Sequence, residues 1–319
     1  MARLARPFVA VIALAPGALG QGLETSQPPA ASDIGIVSVA VAPDGMLIAT
    51  GGSDRTVKLW DARSGRLAAT LRGHGGKVSS LAFSLDGKRL ASGGFDGSIN
   101  LWDLPGSTMR ATFAGHPGQV KSLAFSPDGR LLASSGAEGA RVWDAASGTL
   151  RKMLASERGV VAVAFSPDGA VFAHAGGLGA SLWDARTWKR LRIVERDTNT
   201  LCLSLAFSPD GRWLATGGTS RAARLWDVHT GELQHEFAGG EDFVRALAFS
   251  SDQRLLIAAD RASARWWELP SGRLRSTVRS DVPFLVVALS PGGGRWAGGS
   301  ADGRVRSWPV GKSDSERRQ

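Results

Sequence analysis

Residues 77–116 read KVSSLAFSLDGKRLASGGFDGSINLWDLPGSTMRATFAGH. The stretch breaks into four short strands. The first sets Val78, Leu81 and Phe83 among small polar residues. The turn Ser84-Leu85-Asp86-Gly87 follows, and it recurs as SPDG from Ser126, Ser166 and Ser208. Proline presets φ at the first turn position, aspartate bonds its own backbone, and glycine takes the positive φ. The second strand ends in Gly93-Gly94, and Asp96-Gly97 makes a hairpin turn. The third strand carries Trp102, and a short turn, Ser-Gly or Thr-Gly in other copies, leads to an outer strand.

The unit repeats along the chain. Trp60, Trp102, Trp143, Trp183, Trp226, Trp267 and Trp308 are spaced by 42, 41, 40, 43, 41 and 41 residues. Five of them precede aspartate, one precedes Glu268 and one Pro309. A single four-stranded unit cannot bury both its faces, whereas a closed ring of units can. The expectation is an all-β, seven-bladed β-propeller of four-stranded antiparallel blades over residues 35–310. Blade-seven strands are expected near 284–290, 295–300 and 304–310. The residues after Val310, GKSDSERRQ, form a charged tail (311–319) with no apolar member, so the last blade lacks an evident outer strand of its own. Residues 24–31 or the apolar run 8–15, FVAVIALA, are alternative closing strands.

These residues resemble the WD-repeat family. The resemblance is carried by the Gly73-His74 and Gly115-His116 pairs, the LAFSPDG turns and the LWD endings. It implies a buried hydrogen-bond chain of turn aspartate, histidine, serine or threonine, and indole. The full set falls in the second blade, at His74, Ser92, Asp96 and Trp102. The first blade keeps Thr50, Asp54 and Trp60. The third keeps His116, Ser134 and Trp143, with Glu138 in a shortened turn. The fifth keeps Thr216 and Trp226, with Ser220 at the aspartate position, and the seventh keeps Asp302 and Trp308. The gaps predict looser packing in blades four to six. The resemblance also implies a non-catalytic protein-binding scaffold, acting alone or within a hetero-complex.

Reactive chemistry is not evident. The five histidines show no metal-ligand spacing, and the one cysteine, Cys202, lies in the apolar run LCLSLAF, where a buried small hydrophobe is the expectation. No phosphate loop or haem motif occurs, and no cofactor is expected. The net charge of +9 makes electrostatic binding of nucleic acid or an anionic surface the alternative function. Lys58, Arg141, Arg224, Arg265 and Arg306, each two before a repeat tryptophan, are expected to lie against the indoles, spread around the ring. A partner, acidic or amphipathic, is expected at the entry to the inner strands: Lys77, Ser79, Phe95, Gln119, Lys121, Phe243, Arg245 and Leu285. Residues 1–20 have the layout of a signal peptide, with Arg3 and Arg6 before an apolar run too short to span a bilayer. Export is then expected, and a cytoplasmic location otherwise. Residues 21–34 read as a linker or closing strand.

Overall fold

The computed structural model describes residues 35–156, 158–177, 179–195 and 200–279, and the backbone of strands Phe284–Leu289, Arg295–Ser300 and Val305–Pro309. The signal-peptide, linker, closing-strand and tail readings lie outside the described residues. So do Asp302 and the side chains of Leu285, Arg306 and Trp308.

The chain is all-β. It forms six four-stranded antiparallel sheets and a seventh sheet of three strands, each in simple up-and-down order. The inner strands are Ile36–Val41, Val78–Phe83, Ser122–Phe125, Val160–Phe165, Cys202–Phe207, Ala246–Phe249 and Phe284–Leu289, which define blades one to seven. Each inner strand touches the next, and that of blade seven touches that of blade one, so the ring closes. No fourth strand pairs with Val305–Pro309 among the described residues.

The serine-led turns explain why blades two to six start their second strands in register. In blade three, Ser126 Oγ donates to Asp128 at 2.6 Å and accepts from Leu131 N at 2.9 Å, while Gly129 takes φ 66°. The same hydroxyl bonds recur at Ser84, Ser166, Ser208 and Ser250.

The core lies between blades rather than within them. Trp102 of blade two packs with Val57 and Leu59 of blade one, and Trp143 of blade three with Ile99 and Leu101 of blade two. Removing such an indole costs about 3–5 kcal/mol, and Trp102, Trp143, Trp183, Trp226 and Trp267 each tie their blade to the one before. Serines add polar ties. A β-bulge between Val78 and Ser80 re-aims Ser79, whose Oγ donates to Val120 O of blade three at 2.5 Å. Ser38 donates to Val78 O at 3.1 Å and Ser204 to Val244 O at 3.3 Å.

The expected looseness of blades four to six is not found. Phe172 of blade four and Trp266 of blade six are among the largest fully buried side chains, and Phe172 lies 5.1 Å from Phe165 and 5.7 Å from Trp188. No helix among the described residues is long and apolar enough to cross a membrane.

Candidate functional site: the polar chains and the strand-entry face

In blade two, Trp102 Nε1 donates to Ser92 Oγ at 2.8 Å, and Ser92 Oγ lies 2.8 Å from His74 Nε2. Nδ1 faces the Asp96 carboxylate and Ser98 Oγ, whose proton goes to that carboxylate, so Nδ1 carries the ring proton and Nε2 accepts from Ser92. Nδ1 meets Ser98 Oγ at 3.0 Å, with Asp96 at 3.5 Å, and Ser98 Oγ donates to Asp96 at 2.8 Å. Ser98 is therefore a fifth member that the sequence reading missed. Its signal was the hydroxyl two residues after the turn acid, repeated by Thr56, which donates to Asp54. Asp96 is not buried as expected. It stands at the half-exposed mouth of the chain and also accepts from Gly75 N at 2.5 Å. The carboxylate is needed at the hairpin tip, where backbone N–H groups converge, and that tip meets water.

The complete set is not confined to blade two. In blade three, Trp143 Nε1 donates to Ser134 at 2.8 Å, Ser134 meets His116 Nε2 at 2.8 Å, and His116 Nδ1 meets Glu138 at 2.6 Å. The longer glutamate spans the residue missing from that turn. Burial holds both His74 and His116 below the ordinary histidine range, and the neighbouring carboxylates oppose it only in part. Ser92 and Ser134 are fully buried behind the indoles, so this Ser–His–acid geometry offers no substrate a path to the hydroxyl.

Other blades keep fragments. Trp60 donates to Thr50, and Trp226 to Thr216, each at 2.9 Å. In blade four, His174 takes the serine's register position and stacks on Trp183 at 5.6 Å, leaving His174 Nδ1 and Trp183 Nε1 buried without partners. Burial holds His174 down at about 4. In blade six, buried Asp260 accepts from Ser263 and, at 3.0 Å, from Arg265.

Four of the five cations two before the tryptophans pair with carboxylates rather than with the indoles, and the side chain of the fifth, Arg306, lies outside the described residues. Lys58 pairs with Asp54 at 3.3 Å, Arg141 with Glu138 at 3.2 Å, Arg265 with Asp260 at 3.0 Å, and Arg224 with Glu195 and Glu236. A carboxylate at the start of the same strand, or on a neighbouring outer strand, outcompetes a ring face for a cation. Cys202 is buried, and desolvation pushes its thiol well above the usual range. Among the described residues no cluster of His, Cys, Asp and Glu could hold a metal.

The strand-entry face carries most of its expected residues. Phe95 is 37% exposed, and its N–H donates to the carbonyl of exposed Lys77 at 2.8 Å. Gln119 and Lys121 are half-buried, with Gln119 Nε2 unpaired. Burial lowers the Lys121 ammonium, and Glu138 opposes this. The Arg245 guanidinium lies 5.6 Å from the Phe243 ring centroid. Ser79 does not belong to the face. It is fully buried, because its bulge turns it into the junction with blade three. The reading missed Leu201, which is 42% exposed at the blade-five position matching Lys77 and Phe243.

Comparison with known proteins agrees with this architecture. The model of the "WD domain, G-beta repeat" family matches residues 29–61, 65–103, 107–144, 188–227 and 231–268, more than half of the chain. The chain is 28% identical to Protein tipD of Dictyostelium discoideum over 115 residues, 36% of this chain and 19% of that protein. It is 32% identical to small ribosomal subunit protein RACK1y of Oryza sativa subsp. japonica over 129 residues, 38% of each chain. With small ribosomal subunit protein RACK1 of Glycine max the identity is 28% over 128 residues, 34% of this chain and 39% of that protein. The matched stretches thus span about a fifth to two fifths of these relatives. A closed ring of antiparallel sheets, six of them four-stranded, repeat tryptophans that bridge successive blades and five matches to the repeat model show that the chain belongs to the WD-repeat family.

Proposed function

We propose that the protein is a non-catalytic scaffold that binds a protein partner on its strand-entry face, and that the partner's docking segment is acidic or amphipathic. The observation that carries this is the exposed Phe95 beside Lys77, on a ring whose Ser–His–Trp groups in blades two and three are bonded to one another. An exposed aromatic side chain on a rigid turn is a common interface anchor. Half-buried Lys121 and Arg245 favour acidic groups, because a partner that excludes water strengthens those charges. The same composition gives no support to catalysis, since the Ser–His–acid groups are spent on blade stability.

Affinity capture tests this, with the full chain as bait beside a folded Phe95→Ala, Lys121→Glu variant, at low and high salt. The expected result is a protein retained by the wild type through the salt wash and lost with the variant. Equal retention by both baits would overturn the assignment of the face.

A further inference from the structure

Four exposed cations stand together on the outer strand of blade four and the turn before it. On several blades an arginine of the outer strand answers the acid that follows the repeat tryptophan. Arg110 meets Asp103 at 3.2 Å, Arg151 meets Asp144 at 2.8 Å, and Arg273 and Arg275 meet Glu268 at 2.9 and 3.0 Å. Blades one, four and five depart from this, with Ala68, Leu191 and Gln234 at the position of Arg110, Arg151 and Arg275. In blade four the cations shift to Lys189, Arg190 and Arg192, with Arg186 in the preceding turn. Asp184 accepts instead from Thr187 and the turn N–H groups, and Glu195, the acid of the same strand, is engaged by Arg224 of blade five. All four cations are exposed, and none forms an ion pair among the described residues.

The turn that presents them is fixed by an unusual residue. Trp188 has φ 57° at a position where Gly65, Gly148, Gly231 and Gly272 stand in four other blades. A bulky side chain in the left-handed region is costly. Here the indole lies edge-on to Phe172 at 5.7 Å and packs in a cluster with Leu154 of blade three's outer strand. That contact locks the basic turn of blade four onto the rim of blade three. Apolar side chains are interleaved with the charges: Leu191 is 49% exposed, and Leu150 and Met153 of the adjoining outer strand are each 43% exposed beside Lys152.

We propose that the outer rim of blades three and four binds the surface of an anionic phospholipid bilayer. Basic side chains interleaved with exposed leucine and methionine suit a headgroup layer, where guanidinium groups meet phosphates and aliphatic tips enter the acyl boundary. A nucleic-acid strand would gain nothing from those aliphatic tips and would want aromatic platforms, whereas Trp188 is turned into the core. The net charge of +9 adds long-range attraction to the same surface.

The test is co-sedimentation of the full chain with phosphatidylcholine vesicles with and without phosphatidylserine. The expected result is binding to the anionic vesicles alone. Lys189→Glu, Arg192→Glu weakens it about tenfold or more. This variant leaves Arg190 on the Trp183 ring and is used only once circular dichroism shows it folded. Phe95→Ala binds as the wild type does, and Leu191→Ser binds more weakly at unchanged charge. Absence of binding, binding insensitive to the charge reversal, or binding lost with Phe95→Ala would overturn the proposal. So would a DNA duplex that displaces the vesicles and is held equally by Leu191→Ser, which would assign the patch to nucleic acid.

Discussion

Ser92 serves two partners with one oxygen, accepting from the Trp102 indole and donating to His74. Ser92→Ala strands both in a dry junction, and each lost buried partner costs about 1–3 kcal/mol. A thermal melt of the variant should show a clear fall in Tm, and Ser134→Ala should match it in blade three. A melt like that of wild type in either variant would contradict the account of the chains. His174 gives a pH dependence. Its folded-state pKa of about 4 lies below the usual value near 6.5, so the unfolded chain binds the proton more readily. The stability it contributes is full above about pH 6.5 and is lost as pH falls toward about 4, by up to about 3 kcal/mol. His74 and His116 act in the same direction. His174→Leu should therefore flatten the profile of stability between pH 7 and 4 relative to wild type, as chemical denaturation at each pH would show.

At the scale of the element, the blade-four turn sets two opposing terms against each other. Trp188→Gly relieves left-handed strain of about 1–3 kcal/mol. It also removes a half-buried indole packed on Phe172, at a cost approaching that of a core tryptophan, about 3–5 kcal/mol. Packing wins, and the variant should be less stable by about 2 kcal/mol. A more stable variant would show that the indole contact contributes little. Strand order and turn positions were legible in the sequence because SPDG, the Asp-Gly hairpin and the repeat tryptophans each fix one local geometry. Trp188 was not legible, because a turn position that four other blades fill with glycine carries no mark of its conformation in a single chain. The displaced cations of blade four were hidden for a related reason. The register with the outer strand shifts just before the repeat tryptophan in each of blades one to six, so simple alternation does not tell which face an outer-strand arginine takes.

For the whole molecule, the closed ring followed from the repeat period alone, since each unit needs a neighbour to cover its face. The strand-entry face was only partly legible. Lys77 and Arg245 stand at strand entry and Phe95 in the exposed hairpin turn, as expected. Ser79 was misplaced because an inner-strand bulge reverses a side chain that simple alternation puts on the surface. The polar chains were found as a set, but their exposed end was not, because burial of a hairpin tip depends on neighbouring turns. Ring closure also makes a mechanical prediction. Trp102→Ala should lower the stability of the ring as a unit by about 3–5 kcal/mol, in one cooperative transition seen alike by fluorescence and circular dichroism. Separate transitions by the two probes would mean that the blades melt independently.

The central claim is that a partner docks on the strand-entry face of a rigid ring. Its most direct test is hydrogen–deuterium exchange of the full chain, alone and with the protein that the capture retains. The account predicts new protection in the turns around Lys77, Phe95, Lys121 and Phe243, with the SPDG turns unchanged. Protection confined to the SPDG turns or to the outer strands, with the Phe95 turn exchanging as in the free chain, would contradict it.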